Sequence, residues 1–244
     1  MAGNVLRYSV EVYAKHLPLI LLFSLSFIIA FLIPLFASFP TYNDLGGIFL
    51  RLTSVFSNLT VVSASVIIFA TLFSLLFLSF AIVAINTIVK HSRTGTRIRK
   101  EVRDGLEKYT AKVFVVLLLY TVIVTLFNLL CFIYGLTPAI AAVIAIVLIP
   151  FFFYAPAAIV IDEKNIPRSL RLSAGFFVKR FDYALLWFVL AIVAVTVFDF
   201  LFIIVGGNVA SSYALLVFNS LFIMPFLIVL QSQSYMSRFS LLKR

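Results

Sequence analysis

Six long apolar runs divide this chain, and the segments between them alternate between basic and nearly uncharged. The runs are Leu17 to Ser38, Val61 to Val89, Val113 to Gly135, Ala139 to Ile161, Ala184 to Val205 and Tyr213 to Leu230. An α-helix needs about 20 apolar residues to cross the hydrocarbon core of a bilayer, and each run meets or approaches that length. The runs are continuous rather than alternating, so they read as helices and not as barrel strands. The first is about twice as long as the apolar core of a signal peptide and has no small-x-small site after it, so it reads as a retained span. Composition agrees: 64% of residues are hydrophobic and 11% charged, against about half and about a quarter in soluble domains. No polar stretch is long enough to fold separately, so residues 1–244 form a single membrane domain. The expected fold is all-α, a polytopic integral membrane protein with six transmembrane helices.

Charge sets the orientation. Of the 19 Lys and Arg residues, all but Arg51 fall before the first run, between the second and third, between the fourth and fifth, or after the sixth. The positive-inside rule makes that side the cytoplasm and puts both termini there. The predicted location is the cell membrane, multi-pass. A net charge of +10 in a soluble protein would suggest nucleic acid. Here the charges flank spans, no nucleic-acid motif is present, and the nearest counter-charge is the anionic headgroup. The outer loops run from Phe39 to Thr60, Leu136 to Pro138 and Gly206 to Ser212. The last two are short and hold Pro or Gly, which predicts antiparallel hairpins for spans three and four and for five and six.

The basic segments carry helical stripes. Leu6, Val10, Tyr13 and Leu17 precede span one, and Leu170, Ala174, Phe177 and Phe181 precede span five. A constant offset of 164 residues superposes them and also pairs Arg7 with Arg171, Ser9 with Ser173 and Lys15 with Lys179. Ile98, Val102, Gly105 and Tyr109 repeat the spacing before span three, with Arg99 in the place of Arg7. Each stretch reads as an amphipathic helix in the cytoplasmic interface, its basic face toward headgroups. Arg7, Lys15, Arg97, Arg99, Lys100, Arg103, Arg168, Arg171, Lys179 and Arg180 are the expected lipid-headgroup contacts. The chain then divides into three possible units, 1–90, 97–161 and 165–234, each an interfacial helix and a two-span hairpin.

The acidic turn Asp162-Glu163-Lys164-Asn165, followed by Ser169-Leu170-Arg171, Ser173, Phe181 and Trp187, carries a resemblance. It resembles the poorly characterised six-helix prokaryotic membrane families related to the membrane domain found beside some glycerophosphodiester phosphodiesterases. The resemblance covers mainly residues 150 to 190. Lys164-Asn165 stands where those families often have a Gly. It implies a fold and no activity, because that membrane domain carries no phosphodiesterase catalytic residues.

Polar groups that could do chemistry are few. His16 and His91 stand beside Lys15 and Lys90 at span ends, Cys131 is the one cysteine, and no spacing suggests a metal site, a catalytic set or a cofactor loop. The expectation is a protein that is not an enzyme and holds no metal or cofactor. One carboxylate, Asp199, lies inside a span, where it needs a partner. By depth, Asn128 and Asn219 fall in the same layer, and Arg51 could reach it from the outer loop. These four form a candidate intramembrane polar cluster, either an interhelical clasp or a binding site. Pro150 and Pro156 free backbone groups in span four, for a site or for a kink.

Two functions fit. One is a non-catalytic, membrane-organising, lipid-interacting or accessory scaffold component, with a protein partner or a second copy of itself. The other is a small-molecule transporter or permease subunit with its site near Asp199.

Overall fold

The computed structural model describes residues 2–36, 40–44, 46–57, 59–92 and 98–238. Of the basic residues counted above, Arg93, Arg97, Lys243 and Arg244 lie outside the described residues. Six helical stretches are long and apolar enough to cross a membrane: 17–34, 61–91, 98–133, 138–161, 181–204 and 211–236. The fold is an all-α polytopic membrane architecture, with one short hairpin of strands in its first long turn.

Helix α1 (Ala2–Lys15) meets α2 (Leu17–Phe36) at a corner on His16. Pro18 stands in the first turn of α2, where its missing N–H costs nothing. Strands β1 (Thr41–Asp44) and β2 (Gly47–Leu50) then pair antiparallel, Thr41 opposite Leu50, before the short α3 (Leu52–Ser57). Thr60 opens α4 (Val61–His91) with a capping box to Ser63. Next come α5 (Ile98–Ile133), α6 (Pro138–Phe152), α7 (Ala155–Ile161) and α8 (Ile166–Lys179). Helix α9 (Phe181–Phe218) leads through a π-helical turn (Asn219–Ile223) into α10 (Met224–Met236).

Three features depart from, or add to, the sequence reading. The stripes before spans one and five are separate helices, α1 and α8. The stripe before span three is the beginning of α5, because Thr110, Ala111 and Lys112 hold nothing that stops a helix. The helical stretch α9 spans 181–218, and the chain doubles back within it. The rings of Phe202 and Phe218 lie 5.8 Å apart, whereas a straight helix would separate those residues by about 24 Å. The Phe198 and Phe218 rings are closer still, at 4.2 Å. The two legs are therefore antiparallel, as the short loop predicts. Finally, span four is broken into α6 and α7, around Phe153 and Tyr154.

Packing is concentrated at the end that carries the basic segments, called here the basic end. In α4, Ala81 and Val83 to Val89 are buried on every side, among Ile20, Val102, Ile228 and Val229. Helices α4 and α5 approach so closely that a Cβ on Gly105 would stand 2.8 Å from Thr87 Oγ1. At the other end of α4, Val61 is 85% exposed and Phe69 63%. The helices are thus joined at the basic end and present bare apolar surface at the other, the surface that lipid covers.

The broken span is closed by side chains from two other helices. Pro156 has no N–H to give Phe152 O, so a rung of the helical ladder is missing where α6 ends and α7 begins. The Ser173 hydroxyl of α8 inserts at the break. It donates to Pro150 O at 2.8 Å and accepts from the Tyr154 N–H at 2.9 Å. Gln231 Nε2 of α10 donates to Phe153 O at 2.6 Å. Trp187 Nε1 in turn donates to Leu227 O at 2.7 Å, fixing α9 on α10.

Candidate functional site

The polar faces of α1, α8 and the first turns of α5 point outward because their other faces are used in packing. Val5 and Ser9, Val102 and Tyr109, and Ser169, Ser173, Phe176 and Phe177 are all buried. Arg7, Lys15, Arg99, Lys100, Arg103, Arg168, Arg171 and Lys179 are exposed, and Arg97 is outside the described residues. Arg7 pairs with Glu11 at 2.9 Å and Arg103 with Glu107 at 3.6 Å, one helical turn on. Arg180 is half-buried, 3.3 Å from Asp182 and over the Tyr183 ring.

Two acids among these cations form a hub that the sequence did not disclose. Asp162 accepts from Tyr235 at 2.7 Å and is paired with Arg238. Glu163, in the left-handed region at φ 55°, takes Lys108 at 2.5 Å and Lys90 at 2.9 Å. Lys90 also donates to Val160 O at 3.0 Å. The turn after α7 thereby ties together the basic ends of α4, α5 and α10. The acidic turn was visible in the sequence, but its partners stand up to 76 residues away.

The Lys108 and Lys90 ammoniums hold the Glu163 carboxyl at about 2, below its ordinary 4.5. A depressed carboxyl contributes stability above its unfolded pKa and loses that stability as pH falls toward its folded one. The group is half exposed, so screening limits the gain to about 1 kcal/mol or less. Thermal unfolding of Glu163→Gln should fall below wild type at pH 6, and the gap should close between pH 4.5 and 2. A gap that ignores pH would mean the carboxylate charge is not what binds the hub.

The intramembrane cluster is not assembled. Asn128 donates to Val124 O of its own helix at 2.8 Å. Asn219, in the π-helical turn, donates to Gly46 O at 2.9 Å. Asp199 is half-buried and has no hydrogen bond or ion pair among the described residues. Arg51 is exposed, its backbone N–H bonded to Pro40 O at 2.8 Å. Asn219 Oδ1 is buried with no partner among the described residues, and the Asn219 amide nitrogen is thus spent on the strand hairpin. Gly46 makes that possible: its φ is +68°, and a Cβ there would stand 3.0 Å from Asn219 Cβ. Another buried polar pair does form, from Ser232 Oγ to Asn86 Oδ1 at 2.6 Å, joining α10 to α4.

A cavity of about 630 Å³ opens at the corner between α1 and α2, against the start of α5. Lys15, His16, Pro18, Leu19, Leu22, Phe23, Arg99 and Val102 line it. His16 Nε2 is buried there with no hydrogen-bond partner among the described residues. Burial, and then the Lys15 ammonium, lowers the pKa of His16 below its usual value, so at neutral pH the imidazole is uncharged. Sequence reasoning named Lys15 and Arg99 singly. That they share a cavity follows from α2 and α5 both packing on α4, which no local pattern states.

Comparison with protein-family models, with curated proteins and with solved structures gives no match. Nothing beyond the residues quoted above links the chain to the glycerophosphodiester phosphodiesterase membrane domain.

Proposed function

We propose that this protein is a non-catalytic, lipid-interacting component of the cell membrane, with its basic end and both termini in the cytoplasm. The observation that carries this reading is the division of labour at the basic end. There Val5 and Ser9 of α1, Val102 and Tyr109 of α5, and Ser169, Ser173, Phe176 and Phe177 of α8 are consumed in packing, and exposed cations are left over on all three, with Val10 and Val178 exposed beside them. Anionic headgroups of the cytoplasmic leaflet are the counter-charge that such a surface meets. The engagement of Asn86, Asn128, Asn219 and Ser232 in structural bonds also supports a structural use of the intramembrane polar groups over a transport pathway.

The chain's one Trp, Trp187, serves as a probe. It lies six residues into α9 from the basic end, about 9 Å along the helix, and is half-buried. In mixed bilayers, brominated anionic phospholipid should quench Trp187 more than brominated neutral phospholipid. Lys100, Arg168, Arg171 and Lys179 have no ion pair among the described residues, so their joint replacement by Gln should erase much of that preference, at about 1 kcal/mol per charge near the surface. High salt should do the same. Equal quenching by the two lipids at low salt would show that these cations serve orientation only.

A further inference from the structure

We propose that the cavity between Lys15 and Arg99 is a binding site for one anionic phospholipid, with the phosphate between the two cations and an acyl chain along Leu19, Leu22 and Phe23. The inference rests on the reading that the basic end faces an anionic leaflet.

The cavity is graded in the way an amphiphile is. Its upper part holds two cations, Lys15 and Arg99, and among the described residues no acidic side chain lines it. Among the described residues neither cation has an ion pair, unlike Arg7 and Arg103 on the same helices. Its lower part is Pro18, Leu19, Leu22 and Phe23, the first two turns of a helix that crosses the membrane. From Leu17 to Phe23 the helix rises about 9 Å, so the wall passes from headgroup depth to acyl depth within one cavity. Leu22 is 59% exposed, which leaves that wall open to the bilayer.

His16 is part of the lining, and its Nε2 is buried with no hydrogen-bond partner among the described residues. A volume of about 630 Å³ lies inside the roughly 300–1,000 Å³ range of sites that hold small molecules. A small soluble anion would leave Leu22 and Phe23 unused, and a neutral hydrocarbon would leave both cations unused. One phosphate group with a chain attached uses every residue in the lining.

The test is native mass spectrometry of the full chain, delipidated in neutral detergent and titrated with phosphatidylglycerol or phosphatidylcholine. Phosphatidylglycerol should saturate first as a single bound copy, at least tenfold tighter than phosphatidylcholine. Lys15→Gln and Arg99→Gln should each weaken that copy by about tenfold, the size of a lost charge-assisted bond. Leu22→Trp, which fills the apolar half without changing charge, should weaken it too. Millimolar inorganic phosphate should not displace it. Unchanged binding in the double Gln variant, indifference to Leu22→Trp, or displacement by inorganic phosphate would each overturn the proposal. The four-residue Gln variant on Lys100, Arg168, Arg171 and Lys179 separates the two readings. It removes the bulk preference for anionic lipid and should retain the single tight copy.

Discussion

Replacing Tyr154 by Ala should lower the stability of the bundle by about 3–5 kcal/mol, the range for removing a large ring from a core. Tyr154 is fully buried at the break in span four. Its ring stands edge-on to Phe153 at 4.7 Å and to Phe176 at 4.8 Å, and lies 6.0 Å from Tyr235. It therefore holds α7, α8 and α10 against one another. Its hydroxyl, however, is buried with no partner among the described residues. Tyr154→Phe keeps the ring contacts and deletes the orphan, so it should match or exceed wild type. Thermal unfolding in a fixed detergent compares the three proteins. A large loss in Tyr154→Phe would mean that the hydroxyl is bonded, and a small loss in Tyr154→Ala would mean that the ring cluster does not bear on stability.

Ser173→Ala should cost about 2–4 kcal/mol, which is large for the loss of one oxygen atom. The hydroxyl serves two backbone groups at once, Pro150 O and the Tyr154 N–H. The Tyr154 N–H is buried and Pro150 O part-buried, and an unsatisfied buried group costs about 1–3 kcal/mol, a part-buried one less. Ser9, its counterpart at the 164-residue offset, donates only to Val5 O of its own helix, at 2.8 Å. Ser9→Ala leaves no inter-helix group without a partner and should cost far less. The same unfolding measurement decides: equal losses at the two serines would remove Ser173 from its role as the closure of the broken span.

The six spans were legible because an uninterrupted apolar run of membrane length has few other uses. Helices α1 and α8 were legible from their stripes, and the buried serines 9 and 173 fall on the faces that the offset puts in register. The stripe of Ile98, Val102, Gly105 and Tyr109 does face the bundle, but a stripe cannot reveal whether its helix stops. Nothing between Tyr109 and Val113 makes it stop, and α5 continues. The strand hairpin was missed because each strand is only four residues long, too short for its alternation to stand out. Its turn chemistry, Asn43-Asp44 followed by Gly46-Gly47, was the available signal.

The intramembrane cluster failed for a related reason. Equal depth along three helices says nothing of which way each side chain faces or what else arrives there. The Asn219 amide donates to Gly46 O in the strand hairpin, a partner that no depth argument names. The hub on Asp162 and Glu163 shows the same limit from the other side. Both acids were evident as a turn, and Lys90 and Lys108 as basic residues. Only the fold brings them within 3 Å.

Both the lipid surface and the cavity require the basic end to face the cytoplasm, and one labelling experiment tests that directly. With Cys131 replaced by Ser, single cysteines are placed at Asp104, exposed at the basic end, and at Leu59, 49% exposed at the other. A membrane-impermeant thiol reagent applied to intact cells should label the cysteine at 59 and spare the one at 104, which should react only after permeabilisation. Labelling of position 104 in intact cells, alone or equally with 59, would contradict the account.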